Sequence, residues 1–296
     1  MSTIEKAIGK LRELKQDGTH HASADGAIAG AALTEVDAVE LSRPVSGNES
    51  PNRVELDLAR LERMGFLVPE SSRGQLTEEI RHIKRPLLIN AFRSGDTGQS
   101  SNLIMVTSAR PGEGKTFTAV NLAMSIAKER DKTVLLVDAD VARPSVSRVL
   151  GLQPKLPGLV EYLMDDSQAL SDILLKTNVP NLRVLPAGRS HIHSTELLAS
   201  DAMRQLATEM SQRYPDRIII IDSPPLLATS EAAVLASLVG QIVVIVESEK
   251  TSKQEVNDAL GLLDQSKMIG LVLNKTRPIL TSDYYGYYGG YGSSGD

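Results

Sequence analysis

The chain has 296 residues, 41% hydrophobic and 23% charged, with 32 Lys+Arg against 37 Asp+Glu and no cysteine. There is material for a globular core, no electrostatic reason for bulk nucleic-acid binding at a net charge of -5, and no thiol for a disulfide, a nucleophile or a Cys-ligated metal. Aromatics make up only 3%, and five of the seven tyrosines, Tyr284, Tyr285, Tyr287, Tyr288 and Tyr291, crowd one short stretch near the C-terminus.

In chain order, Ile4, Ala7, Ile8, Leu11 and Leu14 recur at helical spacing behind a Ser2/Glu5 capping box, which predicts a short amphipathic helix over residues 2–16. From Asp17 to about Arg53 the sequence is rich in Gly, Ala, Ser, Asp and Pro without a period and reads as a linker. The charged N-terminus lacks a signal peptide's apolar core. The longest uncharged apolar run, Ala232 to Val246, has 15 residues and is interrupted by Gly240-Gln241, against about 20 for a membrane span. The chain reads as cytoplasmic.

Helical patterns at Leu56–Met64 and Leu76–Phe92 come before a change of period at Asn102. Beyond it, strands are expected at Leu103–Thr107, Thr133–Val137, Leu182–Leu185, Arg217–Ile221, Gln241–Val246 and Met268–Leu273, with helices such as Lys115–Glu129, Thr195–Arg213 and Lys253–Gln265 between them. Strands apolar on both faces, alternating with helices, predict an α/β fold with a doubly wound, mostly parallel sheet that binds ligands at its C-terminal strand ends, and the Gly-rich PGEGKT segment after the first of these strands makes it one of the P-loop NTPase type. The expected organisation is an N-terminal helix, linker and helical extension over 1–74, a body over 75–280 and a flexible tyrosine tail over 281–296.

The first of these strands runs into Ala109-Arg110-Pro111-Gly112-Glu113-Gly114-Lys115-Thr116 and then a helix, which is the P-loop pattern with Ala109 in place of its first glycine. Pro111, Gly112, Glu113, Gly114, Lys115, Thr116 and Phe117 are the expected ATP-binding stretch. Backbone N–H groups would cradle the phosphates, Lys115 would reach the β- and γ-phosphates, and Thr116 would ligate Mg²⁺. Two further strands end in carboxylates, Asp138 and Asp140 after TVLLV and Asp222 after RIIII. A lone Asp at a strand end is usually a cap, whereas three beside a P-loop suit a Mg-nucleotide site. The five histidines, His20, His21, His82, His191 and His193, show no ligand spacing, and no metal is assigned to them.

With these motifs the sequence resembles the bacterial tyrosine kinases, P-loop autokinases that accompany capsule and exopolysaccharide assembly, from about Gln75 to Asp296. The DADVARPS and IKRPLL stretches are similar to the exosortase-associated subgroup. The resemblance implies catalytic roles for Lys115, Asp138, Asp140 and Asp222, with Asp138 as the base facing the tyrosine hydroxyl. It places Mg²⁺ on Thr116, Asp140 and Asp222, partly through water, adenine on Asn274, and phosphate acceptance on the tail tyrosines, by family precedent those of a neighbouring subunit. It further implies a homo-oligomeric ring assembled through Glu78, Arg81 and Lys84, and an activator that is the cytoplasmic part of a membrane chain-length regulator or polysaccharide co-polymerase. A tyrosine phosphatase would oppose it, and no nucleic acid is expected. Departures from the family pattern are Ala109, Ala142 followed by Arg143 where the pattern has Arg at 142, and Lys84 for Arg. Two alternatives stay open: a partitioning-type P-loop ATPase switch, and an ATP-binding nonenzymatic adaptor of a membrane chain-length regulator.

Overall fold

A computed structural model describes residues 52–71, 74–92, 100–165, 167–189, 191, 194–213 and 216–277. The predicted N-terminal helix and the tyrosine cluster lie outside the described residues.

Eight strands form one sheet: β1 Arg53–Val54, β2 Leu103–Ser108, β3 Thr133–Asp138, β4 Leu175–Thr177, β5 Leu182–Leu185, β6 Arg217–Asp222, β7 Gln241–Glu247 and β8 Met268–Asn274. Their spatial order is β1-β4-β5-β3-β6-β2-β7-β8, and every neighbouring pair is parallel except β4 with β5. Because side chains alternate across a strand, the apolar runs feed two cores. Leu103, Met105, Leu135, Val137, Ile219 and Ile221 face one layer of helices, while Ile104, Val106, Val134, Leu136, Ile218 and Ile220 face the other. This is the doubly wound sheet the sequence predicts.

Five strands run one residue past their predicted ends, and in each case that residue is polar: Ser108, Asp138, Asp222, Glu247 and Asn274. The apolar pattern ends there although Ser108, Asp138, Asp222 and Glu247 are still buried, because the backbone ladder continues as long as a partner strand offers hydrogen bonds. Asp138 is therefore paired opposite Asp222, and Glu247 opposite Asn274. These extra residues are the ones that reach the site.

The body begins before the expected boundary at residue 75. β1 adds a strand beside β4, Leu56 exchanges hydrogen bonds with the Asn178 side chain at 2.8 and 3.1 Å, and Asp57 caps the helix Leu58–Arg63 through a 2.8 Å bond from Arg60 N–H. Leu61, Phe66, Leu67 and Val68 are buried in the second core, and Leu67 N–H donates to Asn121 Oδ1 at 2.7 Å. The described residues from Asn52 onward accordingly belong to one compact unit. Apolar burial, which the linker-like composition before it conceals, decides where it starts.

The long helix expected over Thr195–Arg213 is two, Ser194–Leu198 and Asp201–Gln212, because the Ser200 hydroxyl accepts from Met203 N–H and starts a second helix. Among the described residues no helix is long and apolar enough to cross a membrane.

Candidate active site

β6 lies between β3 and β2, so the C-terminal ends of these three strands bring Asp138, Asp222 and the P-loop together. The loop's shape depends on two glycines in the left-handed region, Gly112 (φ 88°) and Gly114 (φ 102°). A Cβ on Gly114 would also lie 2.1 Å from Asn274 Nδ2, so neither the dihedral nor the space admits a side chain. Gly114 starts the helix Lys115–Ala127 without a side-chain cap, and the first-turn N–H groups of such a helix are a ready anion site.

On the outer side the loop is pinned by the edge of the sheet. Glu113 is 1% exposed; its Oε2 accepts from Arg110 N–H at 2.7 Å, and its Oε1 accepts from Glu247 N–H at 3.3 Å and from the Thr251 hydroxyl. Asn274 Nδ2 donates to the Glu113 carbonyl at 2.8 Å, and Lys275 Nζ donates to the Gly112 carbonyl at 2.7 Å while pairing with Glu247 at 3.2 Å. Glu113, expected simply as part of the ATP-binding stretch, is the loop's internal brace. Asn274, expected to read adenine, places its amide nitrogen on the loop backbone. The Phe117 ring turns away and packs at 5.0 Å against Phe66 in the second core, so that what Phe117 offers a phosphate is backbone.

The inner side is different. Lys115 Nζ is 2.7 Å from Asp140 Oδ2, with both side chains nearly out of water. Asp140 Oδ1 accepts from Arg143 N–H at 3.1 Å, so both oxygens of Asp140 are engaged. Thr116 Oγ1 donates to Asp222 Oδ2 at 2.7 Å, and Asp138 Oδ2 accepts from the N–H groups of Ser145 and Val146 at 3.1 and 3.0 Å. Asp138 and Asp222 are fully buried, yet Asp138 Oδ1 and Asp222 Oδ1 have no hydrogen-bond partner among the described residues. Burial, aided by the charges of Asp222 and Asp140, pushes the Asp138 carboxyl up to about 8. Burial also raises Asp222, to about 6, where Lys115 and the Thr116 hydroxyl oppose the shift. Burial alone would lower Lys115, but the three aspartates outweigh it and raise its pKa.

These donors fit Mg²⁺. The orphaned Asp222 Oδ1 and the Thr116 hydroxyl are hard oxygen ligands of the kind that cation takes. Among the described residues no three His, Asp or Glu side chains make a metal cage by themselves.

The residues expected at an oligomer contact divide. Glu78 and Arg81 form a partly exposed i,i+3 pair at 2.5 Å on the helix Gln75–Ala91. Lys84 does not join them at the surface. It is buried, donating to the Ser125 carbonyl at 3.2 Å and pairing with Glu129, and so fastens its helix to the P-loop helix within one chain. Arg143 is exposed beside the site. The acceptor candidates Tyr284, Tyr285, Tyr287, Tyr288 and Tyr291 lie outside the described residues.

A family profile described as an AAA domain matches residues 101–275. The chain is 33% identical over 207 residues to the tyrosine-protein kinase CpsD of Streptococcus agalactiae, covering 69% of this chain and 88% of that one. It is 36% identical over 200 residues to the tyrosine-protein kinase YwqD of Bacillus subtilis (strain 168), covering 67% and 81%. Among solved structures, the kinase domain of Escherichia coli tyrosine kinase ETK superposes with a TM-score of 0.61 at 28% identity, over 77% of this chain and 97% of that one.

Proposed function

The chain belongs to the family of bacterial tyrosine-protein kinases, and from that premise we propose that it is an ATP-dependent autokinase whose acceptors are Tyr284, Tyr285, Tyr287, Tyr288 and Tyr291. The observation that carries this reading is a buried carboxylate, Asp138, whose Oδ1 has no partner among the described residues and whose charge acts on the P-loop Lys115 that Asp140 holds.

Phosphoryl transfer asks the protein mainly for alignment and charge neutralisation. Lys115 is the buried cation placed to hold the β- and γ-phosphates, together with the N–H groups of the loop Gly112 and Gly114 shape. Thr116 and Asp222, already bonded to each other, and Asp140 behind Lys115 would hold Mg²⁺, which when bound neutralises charge on the phosphoryl oxygens. A phenol has a pKa near 10, so its proton must leave during attack. Asp138, raised to about 8, matches that proton better than a carboxylate at its ordinary value of about 4. As the phenol oxygen bonds to phosphorus and the bridging oxygen leaves with ADP, the phenolic proton passes to Asp138 Oδ1.

In this reading the acceptor tail belongs to a neighbouring subunit of a homo-oligomer, with Glu78 and Arg81 at the contact; their partial exposure supports it. The protein acts in the cytoplasm in exopolysaccharide or capsule biosynthesis and export, is activated by the cytoplasmic part of a membrane chain-length regulator or polysaccharide co-polymerase, and is reset by a tyrosine phosphatase. Each phosphate adds about -1.5 to -2 charges, so a modified tail is repelled from a site lined by three carboxylates and the ring loosens.

The test is mass spectrometry of the C-terminal peptide after the full chain is incubated with Mg-ATP. Phosphotyrosine in the cluster, absent from Lys115→Met, is expected. Phosphate on the Lys115→Met tail, or none on the wild type with its activator present, overturns the reading.

A further inference from the structure

Ser145 joins the two halves of the site. It is half-buried, follows Arg143-Pro144 and occupies the N-cap position of the helix Val146–Leu150. A serine there ordinarily turns its oxygen back onto its own helix, yet Ser145 makes no such bond. The carboxylate of Asp138 does that work instead, accepting the N–H groups of Ser145 and Val146 on Oδ2. The Ser145 hydroxyl is released to lie 2.7 Å from Thr116 Oγ1.

Proton counting gives that contact a direction. A threonine hydroxyl has one proton and two lone pairs, and Thr116 directs its proton to Asp222 Oδ2. Ser145 is therefore the donor to Thr116, and hydrogen bonds run from Ser145 to Thr116 to Asp222. One lone pair of Thr116 Oγ1 is then occupied and one is left for a cation.

We infer that Ser145 is a positioning residue for the magnesium site, acting through Thr116. Its hydroxyl fixes the rotation of the Thr116 hydroxyl, so that the threonine's proton stays directed at Asp222 Oδ2 and the remaining lone pair is held ready for the metal. Its backbone N–H holds Asp138 independently, so removing the hydroxyl disturbs the metal half of the site and leaves the proton-accepting half in place. The inference rests on the Mg-ATP reading of the site.

The experiment is equilibrium binding of a fluorescent ADP analogue to the full chain, titrated with MgCl₂ and repeated in EDTA, for wild type, Ser145→Ala and Ser145→Thr. Losing one hydrogen bond should raise the Mg²⁺ concentration for half-effect about fivefold in Ser145→Ala. Its affinity in EDTA and its pH profile of phosphotransfer should match wild type, and Ser145→Thr should restore the Mg²⁺ curve. Superimposable Mg²⁺ curves for wild type and Ser145→Ala overturn the inference, as does weakening of equal size with and without Mg²⁺. If wild type binds the analogue no better with Mg²⁺ than in EDTA, the Mg-ATP reading itself fails, a result visible without any variant.

Discussion

The two sides of the phosphate loop are built from the same material, carboxylates and lysines at strand ends, and treat it in opposite ways. On the outer side Glu113 uses both oxygens, and Asn274 and Lys275 close onto the loop backbone. On the inner side Asp138 and Asp222 are as deeply buried but keep one oxygen each without a partner among the described residues. A satisfied network rigidifies; an unsatisfied one stores a cost that a ligand can relieve. The first side therefore holds the shape, and the second is arranged for chemistry.

If the contrast is right, removing a carboxylate should have opposite effects on stability at the two sides. The largest effect belongs inside: Asp138→Asn should lower the rate of tyrosine phosphorylation by about 10²- to 10⁴-fold, measured with radiolabelled ATP. The same substitution should leave the unliganded protein more stable at alkaline pH. The sign follows from the raised carboxyl: with a value of about 8 in the fold against about 3.9 unfolded, the favourable contribution is complete below the unfolded value and is lost as pH rises through 8. Wild type should thus melt progressively lower than Asp138→Asn between pH 4 and pH 8, and a constant difference across that range would break the comparison.

Outside, Glu113→Ala should destabilise by about 1–3 kcal/mol, since it strands the buried N–H of Glu247 and the part-buried N–H of Arg110. Chemical denaturation measures this, and a neutral or stabilising result would erase the distinction between the sides. The smallest effect is expected farthest from the loop. Glu78→Ala should change monomer stability by less than about 0.5 kcal/mol, whereas Lys84→Ala, which strips a buried partner from Ser125 and Glu129, should cost clearly more in the same experiment.

The inner side was legible because its chemistry is written in residue types at fixed offsets from apolar strands: a P-loop after β2 and aspartates after β3 and β6. The outer brace was not, because Glu113 occupies a position the P-loop pattern leaves unspecified and its partners Glu247, Thr251 and Asn274 come more than 130 positions later. Ser145 was missed for a similar reason, since its hydroxyl meets Thr116 across 29 positions. Lys84 was expected at an oligomer contact because its partners, Ser125 on the P-loop helix and Glu129 just past that helix's end, come more than 40 positions later. Residues 53–68 read as extension because their burial depends on Asn121 and Asn178, far along the chain. Local pattern reports periodicity and turns; it carries no register between distant segments.

The anchoring of Lys275 on the Gly112 carbonyl also sets a length scale. Tyr284 stands nine residues beyond Lys275, and a chain of that length reaches at most about 30 Å by any path. One tyrosine confined to a sphere of that radius around its own subunit's phosphate loop corresponds to an effective concentration on the order of 10 mM. A neighbour's tyrosine has to outcompete that figure, which dilute encounters between free subunits cannot do. Under the proposed transfer between subunits, an assembly has to present the foreign tail at comparable density, and dilution to free subunits should abolish exchange.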